Sequence, residues 1–440
     1  MTTASIRQQQ VSQITHAMTS EARPLAIQHA RKVDASGICE HFWMVADEGR
    51  IVATGTRDDD LASAIANMQT QQSSSSALDK SEEQAPLSHI SASGLEIVDA
   101  QGATLTPGYI DIHSHGAWEH SFDDGEEAIA VARAGHAVHG TTRQVLSLIT
   151  NPLDVMCNNL RTVAAVCAQR PDCIGAHLEG PFLAVSRKGA HDPDCLREPQ
   201  EELVEQLLEA AHGCIRQITI APELPHGIEA IARFRDMGVI PAIGHSDADY
   251  VTTKRGIDAG AGILTHIFNA MNGIGHRQPG PIPAVLEDSR VQVELINDGF
   301  HVHNPVVELA FKLFPHRLAL ITDSMAATGC ADGRYTLGKL AVNVENGHAR
   351  LLSNGAIAGS TLTLDIAVRR AIEQIGISEV DAVAAATLGP AHALELDRPN
   401  QVTAYPLGLL SAGYAADALL MAPQSWRVAS AWCQGRRIVV

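Results

Sequence analysis

Between residues 109 and 324 short apolar, β-branched runs alternate with longer stretches whose apolar positions recur at helical spacing. Eight runs follow in order: YIDIHSH, TTRQVLSLI, CIGAHLEG, IRQITIAPE, VIPAIGHS, GILTHIFNA, VQVELIND and LALITDS. EEAIAVARAGHAVHG, QEELVEQLLEAAHG and PVVELAFKLF are typical of the helix-like segments between them. Strands alternating with helices predict a parallel sheet, and eight repeats predict an α/β fold closed as a (β/α)8 TIM barrel over residues 108–395. A doubly wound open sheet is the alternative, but its glycine-rich phosphate loop after the first strand is missing. Residues 361–375 and 378–394 predict two further helices that close the body.

Both flanks carry strand patterns. LAIQHARKV, HFWMVAD and GRIVATG, with a turn signal at Glu48-Gly49, are followed by LEIVDAQGATLTPG. The last residues, ADALLMAPQSWRVASAWCQGRRIVV, carry a hairpin signal between Cys433 and Arg436. The two chain ends therefore predict one small β-sandwich domain, built from residues 23–107 and 396–440. Residues 1–22 are polar and predict a disordered tail. MQTQQSSSSALDKSEEQAPLS is rich in Ser and Gln. It predicts a mobile insertion at about 68–90, since it cannot bury enough surface to offset its ordering entropy.

Composition narrows the function classes. Hydrophobic residues at 45% and charged residues at 19% suit a globular enzyme of 440 residues. Aromatics at 4% disfavour a platform that stacks bases or sugars. A formal charge of −18 argues against nucleic-acid or anionic-membrane binding, so an anionic substrate must be captured by a few local cations. The eight cysteines are scattered and no signal-like or membrane-length apolar run is present, which predicts reduced thiols and a cytoplasmic protein.

The predicted C-terminal strand ends carry His113 and His115, Glu179, Glu223, His245, His266, Asn297 with Asp298, and Asp323. Any one of these could simply cap a strand; as a set they converge once the barrel closes. Two histidines one residue apart on a strand face the same way. Imidazoles with carboxylates suit a divalent metal, zinc first, with Fe, Mn, Co or Ni also open. Hydrolysis at such a centre also needs a carboxylate that takes a proton from water and passes it to the leaving group, and Asp323 is the candidate.

With these residues located, the chain resembles the N-acetylglucosamine-6-phosphate deacetylases of the amidohydrolase superfamily. The segments that carry the resemblance are PGYIDIHSHG, HLEGPFLAVSRKGAHDP, APELP, GHSDADY, THIFNAMNGIGHRQPGP, INDGFHVH, ITDSMAATG and AGSTLTL, spanning about residues 107–365. The resemblance implies Glu179, His245 and His266 as ligands of the main metal, and Asp323 as general base and then acid. It further implies that His191 contacts the acetyl carbonyl, and that Asn269, Ala270 and His301 contact the sugar phosphate. Arg277 would reach the phosphate from a neighbouring subunit, which implies a homodimer with shared sites. Members that lack the first-strand histidine pair keep one metal; His113 and His115 are present here, which opens a second site bridged by Glu179 and touched by Asp323. The next loop, GAWEHSFDD, carries Trp118, Glu119 and His120 in place of the glycine run of similar sequences. The reaction implied is hydrolysis of N-acetylglucosamine 6-phosphate to glucosamine 6-phosphate and acetate. Action on another N-acylated sugar phosphate or a cyclic amide, or a non-catalytic sugar-phosphate sensor, are the alternatives. Cyclic-amide hydrolases commonly use a modified lysine at the fourth strand end, where ITIAPE has none. A sensor would be expected to have lost Asp323 or a ligand.

Overall fold

The computed structural model describes residues 3–77 and 94–439. Its body is a ring of eight strands: β1 (Tyr109–Asp111), β2 (Thr141–Ile149), β3 (Cys173–Glu179), β4 (Ile215–Ile220), β5 (Ile240–Ile243), β6 (Ile263–Leu264), β7 (Gln292–Ile296) and β8 (Leu318–Ile321). Each pairs in parallel with its sequence neighbour. The seam between β1 and β8 is closed just beyond the strands themselves. Asp323 N donates to His113 O at 2.9 Å and His115 N to Ser324 O at 2.8 Å. Thr322 Oγ1 donates to Asp111 Oδ2 at 2.6 Å. Three of the residues singled out in the sequence thus sit on the barrel seam.

The surrounding helices follow from their patterns. In Glu201–Ala211 the buried residues Val204, Leu207, Ala210 and Ala211 form one stripe, and Glu201 and Glu202 occupy the first turn, where the helix dipole favours acids. His212, left-handed at φ 47°, and Gly213 end it. The segment 361–375 is helical from Leu364, with its last five residues in a wider π turn. The segment 378–394 is two helices, Glu379–Ala386 and Leu388–Ala393, broken at Thr387.

The chain ends meet as expected. Strand Thr104–Pro107 pairs antiparallel with Ala418–Met421, which joins the N- and C-terminal strands into one mixed sheet. Leu25, Ile27 and Met44 share a core with Ala418 and Trp432. The hairpin predicted near Cys433 is present, with Cys433 paired to Arg436.

Two expectations need correction. The described part of the expected disordered tail, residues 1–22, is not disordered: Thr3–Thr19 is a helix. Its Val11, Ile14 and Met18 fall at i, i+3 and i+7, and this short apolar stripe docks on the barrel-side core. The Ser/Gln-rich insertion is likewise ordered in its first part, since helix Asp58–Ala77 runs through residues 68–77. Three aspartates open that helix, and Leu61, Ile65 and Met68 pack against Trp43 and Val45. The remainder of the insertion lies outside the described residues. A further element, unanticipated, is the three-stranded sheet Gly333–Leu337, Leu340–Glu345 and His348–Leu351, which packs on Ile149 and Ala190. The Asn346-Gly347 pair between its last two strands is the hairpin signal that could have revealed it.

Candidate active site and metal centre

Glu179, the last residue of β3, is the hub of the C-terminal mouth. Its Oε1 lies 3.1 Å from His245 Nε2 and 3.3 Å from both His266 Nε2 and His113 Nε2. Its Oε2 lies 3.0 Å from His115 Nε2 and 3.4 Å from His191 Nε2. Asp323 Oδ1 completes the cluster at 3.5 Å from His115 Nε2 and 3.7 Å from His113 Nε2. Five imidazoles and two carboxylates, drawn from chain positions 113 to 323, therefore share one buried spot.

The backbone aims these side chains inward by leaving the strand conformation just where the strands stop. His245, His266, Phe268, Ala270 and Asp323 all have positive φ, between 26° and 76°. For residues other than glycine this costs on the order of 1 kcal/mol or more each, so the surroundings must hold them. They do: His245 O accepts from Ala184 N at 2.9 Å, and Asp323 O accepts from Ser360 N at 2.7 Å.

Second partners fix the rings. His245 Nδ1–H donates to Arg187 O at 2.8 Å, leaving a lone pair at Nε2. His113 Nδ1–H donates to Glu294 Oε2 at 3.0 Å, and its buried Nε2 has no hydrogen-bond partner. His191 Nδ1 is 2.9 Å from Thr150 Oγ1, whose hydroxyl also lies 2.8 Å from Glu179 O. The single Thr150 proton sets the tautomer. Given to Glu179 O, it leaves His191 Nε2 bare; given to Nδ1, it leaves the ring proton on Nε2, facing the pocket.

These contacts fit a cation. The Nε2 atoms of His245 and His266 are 3.0 Å apart, and each is within 3.3 Å of the same Glu179 oxygen. A tetrahedral centre with zinc–nitrogen bonds of about 2.0–2.1 Å has ligand edges of about 3.3 Å. His113, His115, Glu179 and Asp323 form a second group of the same kind, and Glu179, His191 and His245 a third that shares its carboxylate. Burial opposes the charge on Glu179, yet the charge of the facing His113 and the contacts from His115 and His191 outweigh it and hold the carboxyl well below its usual range. Burial opposes His113 too, and Glu179 with Glu294 outweigh it, raising its pKa well above the ordinary value. A divalent cation would satisfy the same carboxylates with neutral imidazoles.

Above the cluster opens a cleft of about 340 Å³. Asn269, Ala270 and His301, from the segments after β6 and β7, line one part of it; Ile149, Ala190 and, from the three-stranded sheet, Leu337 line another as one apolar cluster. His301 Nδ1–H donates to Asp298 Oδ2 at 2.7 Å, while Phe300 N and His301 N both donate to Asp298 Oδ1 at 2.8 Å. A larger hollow of about 780 Å³ lies at the other end of the barrel, beside the start of β8, and has no comparable cluster of imidazoles.

Other sequence-selected residues fall outside this cluster. Arg277 is exposed on the 272–280 loop and does not line the cleft. Glu223 braces the turn after His245, accepting from Ser246 Oγ at 2.7 Å and Asp247 N at 2.5 Å. Asn297 is buried and donates to Ala367 O. The sequence reading missed Glu294 and Thr150. Glu294 sits in the middle of VQVELIND, and a carboxylate inside an otherwise apolar strand was its one available signal.

A parallel barrel that gathers histidines and acids at its C-terminal mouth defines a metal-dependent hydrolase class. The chain belongs to the amidohydrolase family, whose profile matches residues 104–438. It is 34% identical to the N-acetylgalactosamine-6-phosphate deacetylase of Escherichia coli O157:H7, over 78% of this chain and 89% of that protein. It is 33% identical to the N-acetylglucosamine-6-phosphate deacetylase of Lysinibacillus sphaericus, over 76% and 85%. Among solved structures it matches a variant N-acetyl-D-glucosamine-6-phosphate deacetylase from Mycobacterium smegmatis in complex with N-acetyl-D-glucosamine-6-phosphate. That match has a TM-score of 0.80 at 32% identity and covers 96% of this chain and all of that one. No helix among the described residues is long and apolar enough to cross a membrane.

Proposed function

We propose that this protein hydrolyses the acetamide of N-acetylglucosamine 6-phosphate to glucosamine 6-phosphate and acetate, a step of amino-sugar catabolism. The observation that carries the reading is the convergence of His113, His115, His245 and His266 on Glu179, with Asp323 beside them at the mouth of the cleft. Glu179, His245 and His266 are assigned to the main metal, with zinc preferred over Fe, Mn, Co or Ni for this mixed nitrogen and oxygen donor set. His113 and His115, with Glu179 and Asp323, are assigned to a second ion. When bound, such an ion acidifies water and polarises the acyl carbonyl.

The residues of the chain divide the remaining work. Asp323 takes a proton from the attacking water and returns it to the departing amine nitrogen. His191 faces the acyl carbonyl through Nε2. Asn269, Ala270 and His301 hold the sugar phosphate, which leaves the apolar part of the cleft for the acyl methyl. Arg277 serves the neighbouring subunit's phosphate in a homodimer, since its guanidinium is free of the cleft in one chain and a planar cationic fork suits phosphate. The eight cysteines are all unpaired, as suits the reducing cytoplasm.

A second reading has its own support, because the 34% relative is named for the galactosamine epimer. One assay separates the two: acetate release from N-acetylglucosamine 6-phosphate, its galactosamine epimer and unphosphorylated N-acetylglucosamine, on protein of measured metal content. The glucosamine phosphate is expected to have the highest kcat/KM. A higher value for the epimer moves the assignment to that sugar. Equal turnover of the unphosphorylated sugar removes the phosphate roles of Arg277 and His301.

A further inference from the structure

Helix Thr3–Thr19 lies outside the residues that the family profile matches, yet it reaches the loops behind the metal cluster. It packs along helix Glu126–Ala137 and the last strand, Arg436–Val439, with Ile14 and Met18 buried. From its first turns Arg7 extends over the barrel. The guanidinium carbon stands 5.3 Å from the centre of the Trp118 ring. Nη2 donates to Gly329 O, and Nη1 lies 3.7 Å from Cys330 Sγ. One side chain thus touches two loops: the loop that follows His115 and the loop that follows Asp323.

Those loops are already joined to each other. Trp118 N donates to Thr328 O at 2.9 Å, Glu119 N to Ala326 O at 2.7 Å, and His115 N to Ser324 O at 2.8 Å. The junction is conformationally demanding. Trp118 and Glu119 hold φ of 52° and 71°, values that non-glycine residues keep only when their surroundings over-determine them. Gly329, at φ 73°, approaches the indole so closely that a Cβ there would stand 2.7 Å from Trp118 Nε1. A cation over the face of the largely buried Trp118 ring, with a donor on Gly329 O, pins both sides of the junction at once.

We infer that Arg7 is a positioning residue for catalysis: the N-terminal helix uses it to lock the paired loops that carry His115 and Asp323. The kinetic part of this inference rests on the deacetylase reading; the metal-retention part does not. The test is made on the full chain with Arg7→Ala and Arg7→Lys, measuring kcat, KM, melting temperature and the rate of metal loss to a chelator. Residues that orient metal ligands from outside typically change affinity or activity by 10–100-fold, and Arg7 is a step further out, so Arg7→Ala is expected to lower kcat about five- to tenfold. KM should stay within about twofold, metal loss should quicken, and the melting temperature should move only slightly. Arg7→Lys keeps a cation over the indole without the fork to Gly329, and should recover part of the lost kcat. Unchanged metal loss and unchanged kcat in Arg7→Ala overturn the inference, as does a loss confined to KM. Faster metal loss in Arg7→Ala, in a protein inactive on every N-acetylated sugar phosphate, keeps the clamp and rejects the substrate reading.

Discussion

Inside the barrel, shut off from solvent, Oε2 of Glu294 stands 3.0 Å from Nδ1 of His113. The same carboxylate accepts from Gln217 Nε2 at 2.6 Å and from the main-chain nitrogen of His266 at 3.3 Å. One side chain on β7 therefore orients a histidine just past β1 and steadies another just past β6. A carboxylate behind a ligating histidine fixes the ring and makes it a better donor, and losing one typically costs 10–100-fold in metal affinity or activity. Glu294→Gln preserves the volume and keeps only a weaker acceptor. Turnover is expected to fall about tenfold, and metal content to fall first at the His113–His115 group. Kinetics with elemental analysis of the purified variant checks this; wild-type turnover and metal content would reduce Glu294 to a filler of the barrel interior.

Asp323 is held where the proposed proton transfer needs it, at 3.5 Å from His115 Nε2 and 3.7 Å from His113 Nε2. Its φ of 47° turns the side chain off the end of β8 toward His113 and His115, and Ser360 N secures its carbonyl at 2.7 Å. Gly359 permits that approach, since a Cβ there would stand 2.8 Å from Asp323 O. Asp323→Asn keeps the shape and removes the base. General acid–base catalysis contributes about 10²–10⁴-fold, so kcat is expected to fall by at least about a hundredfold with KM little changed. Acetate release in single-turnover and steady-state assays measures the loss. A variant within tenfold of wild type would assign the proton transfer to another group.

The barrel, and the gathering of histidines and carboxylates at its mouth, were legible in the sequence because both rest on short-range rules. Period-two runs ending in His, Glu or Asp predict which side chains reach the mouth once the strands close in parallel. Glu294 escaped that logic, since it points into the barrel from mid-strand, where a pattern of apolar positions reads as core. Thr150 escaped because its importance lies in two hydrogen bonds, to His191 and to Glu179 O, made across residues far apart in sequence. The N-terminal helix escaped because its few apolar residues among polar ones look weak in isolation, and the stripe of Val11, Ile14 and Met18 gains meaning only from the core that receives it.

His301 gives the cleft a pH signature. Burial works against its charge, but the hydrogen bond and the negative charge of Asp298 outweigh this and raise its pKa above the ordinary histidine value. The imidazolium therefore persists to higher pH than in a free histidine, and is lost as pH climbs through the raised value. A phosphate held by this cation should be bound less tightly above that point. Above pH about 7, where the phosphate is largely dianionic, KM for the phosphorylated sugar is expected to rise with pH. Asp298→Asn removes the anion that raises the pKa, so the rise should begin at lower pH. The unphosphorylated sugar should show neither effect. A KM profile that is flat for the phosphorylated sugar, or identical in Asp298→Asn, would separate His301 from phosphate binding.

The link between the barrel and the small β domain is itself a testable joint. Arg143, on β2, is fully buried and donates to Asp417 through Nε at 2.6 Å and Nη2 at 3.0 Å. Asp417 precedes the strand Ala418–Met421 and also accepts from Gln434 N at 2.7 Å. Removing the carboxylate alone leaves a buried guanidinium without its counter-charge, which costs about 3–5 kcal/mol in comparable pairs. Asp417→Ala should therefore lower the urea midpoint sharply while the folded fraction keeps its kcat, since the joint lies at the opposite end of the barrel from Glu179. Replacing both partners removes the stranded charge as well, so Arg143→Met with Asp417→Leu should regain much of the lost stability. Equilibrium unfolding of the two variants beside wild type measures the difference. If the double variant is as unstable as Asp417→Ala, the cost arises from lost packing between the domains rather than from the uncompensated charge.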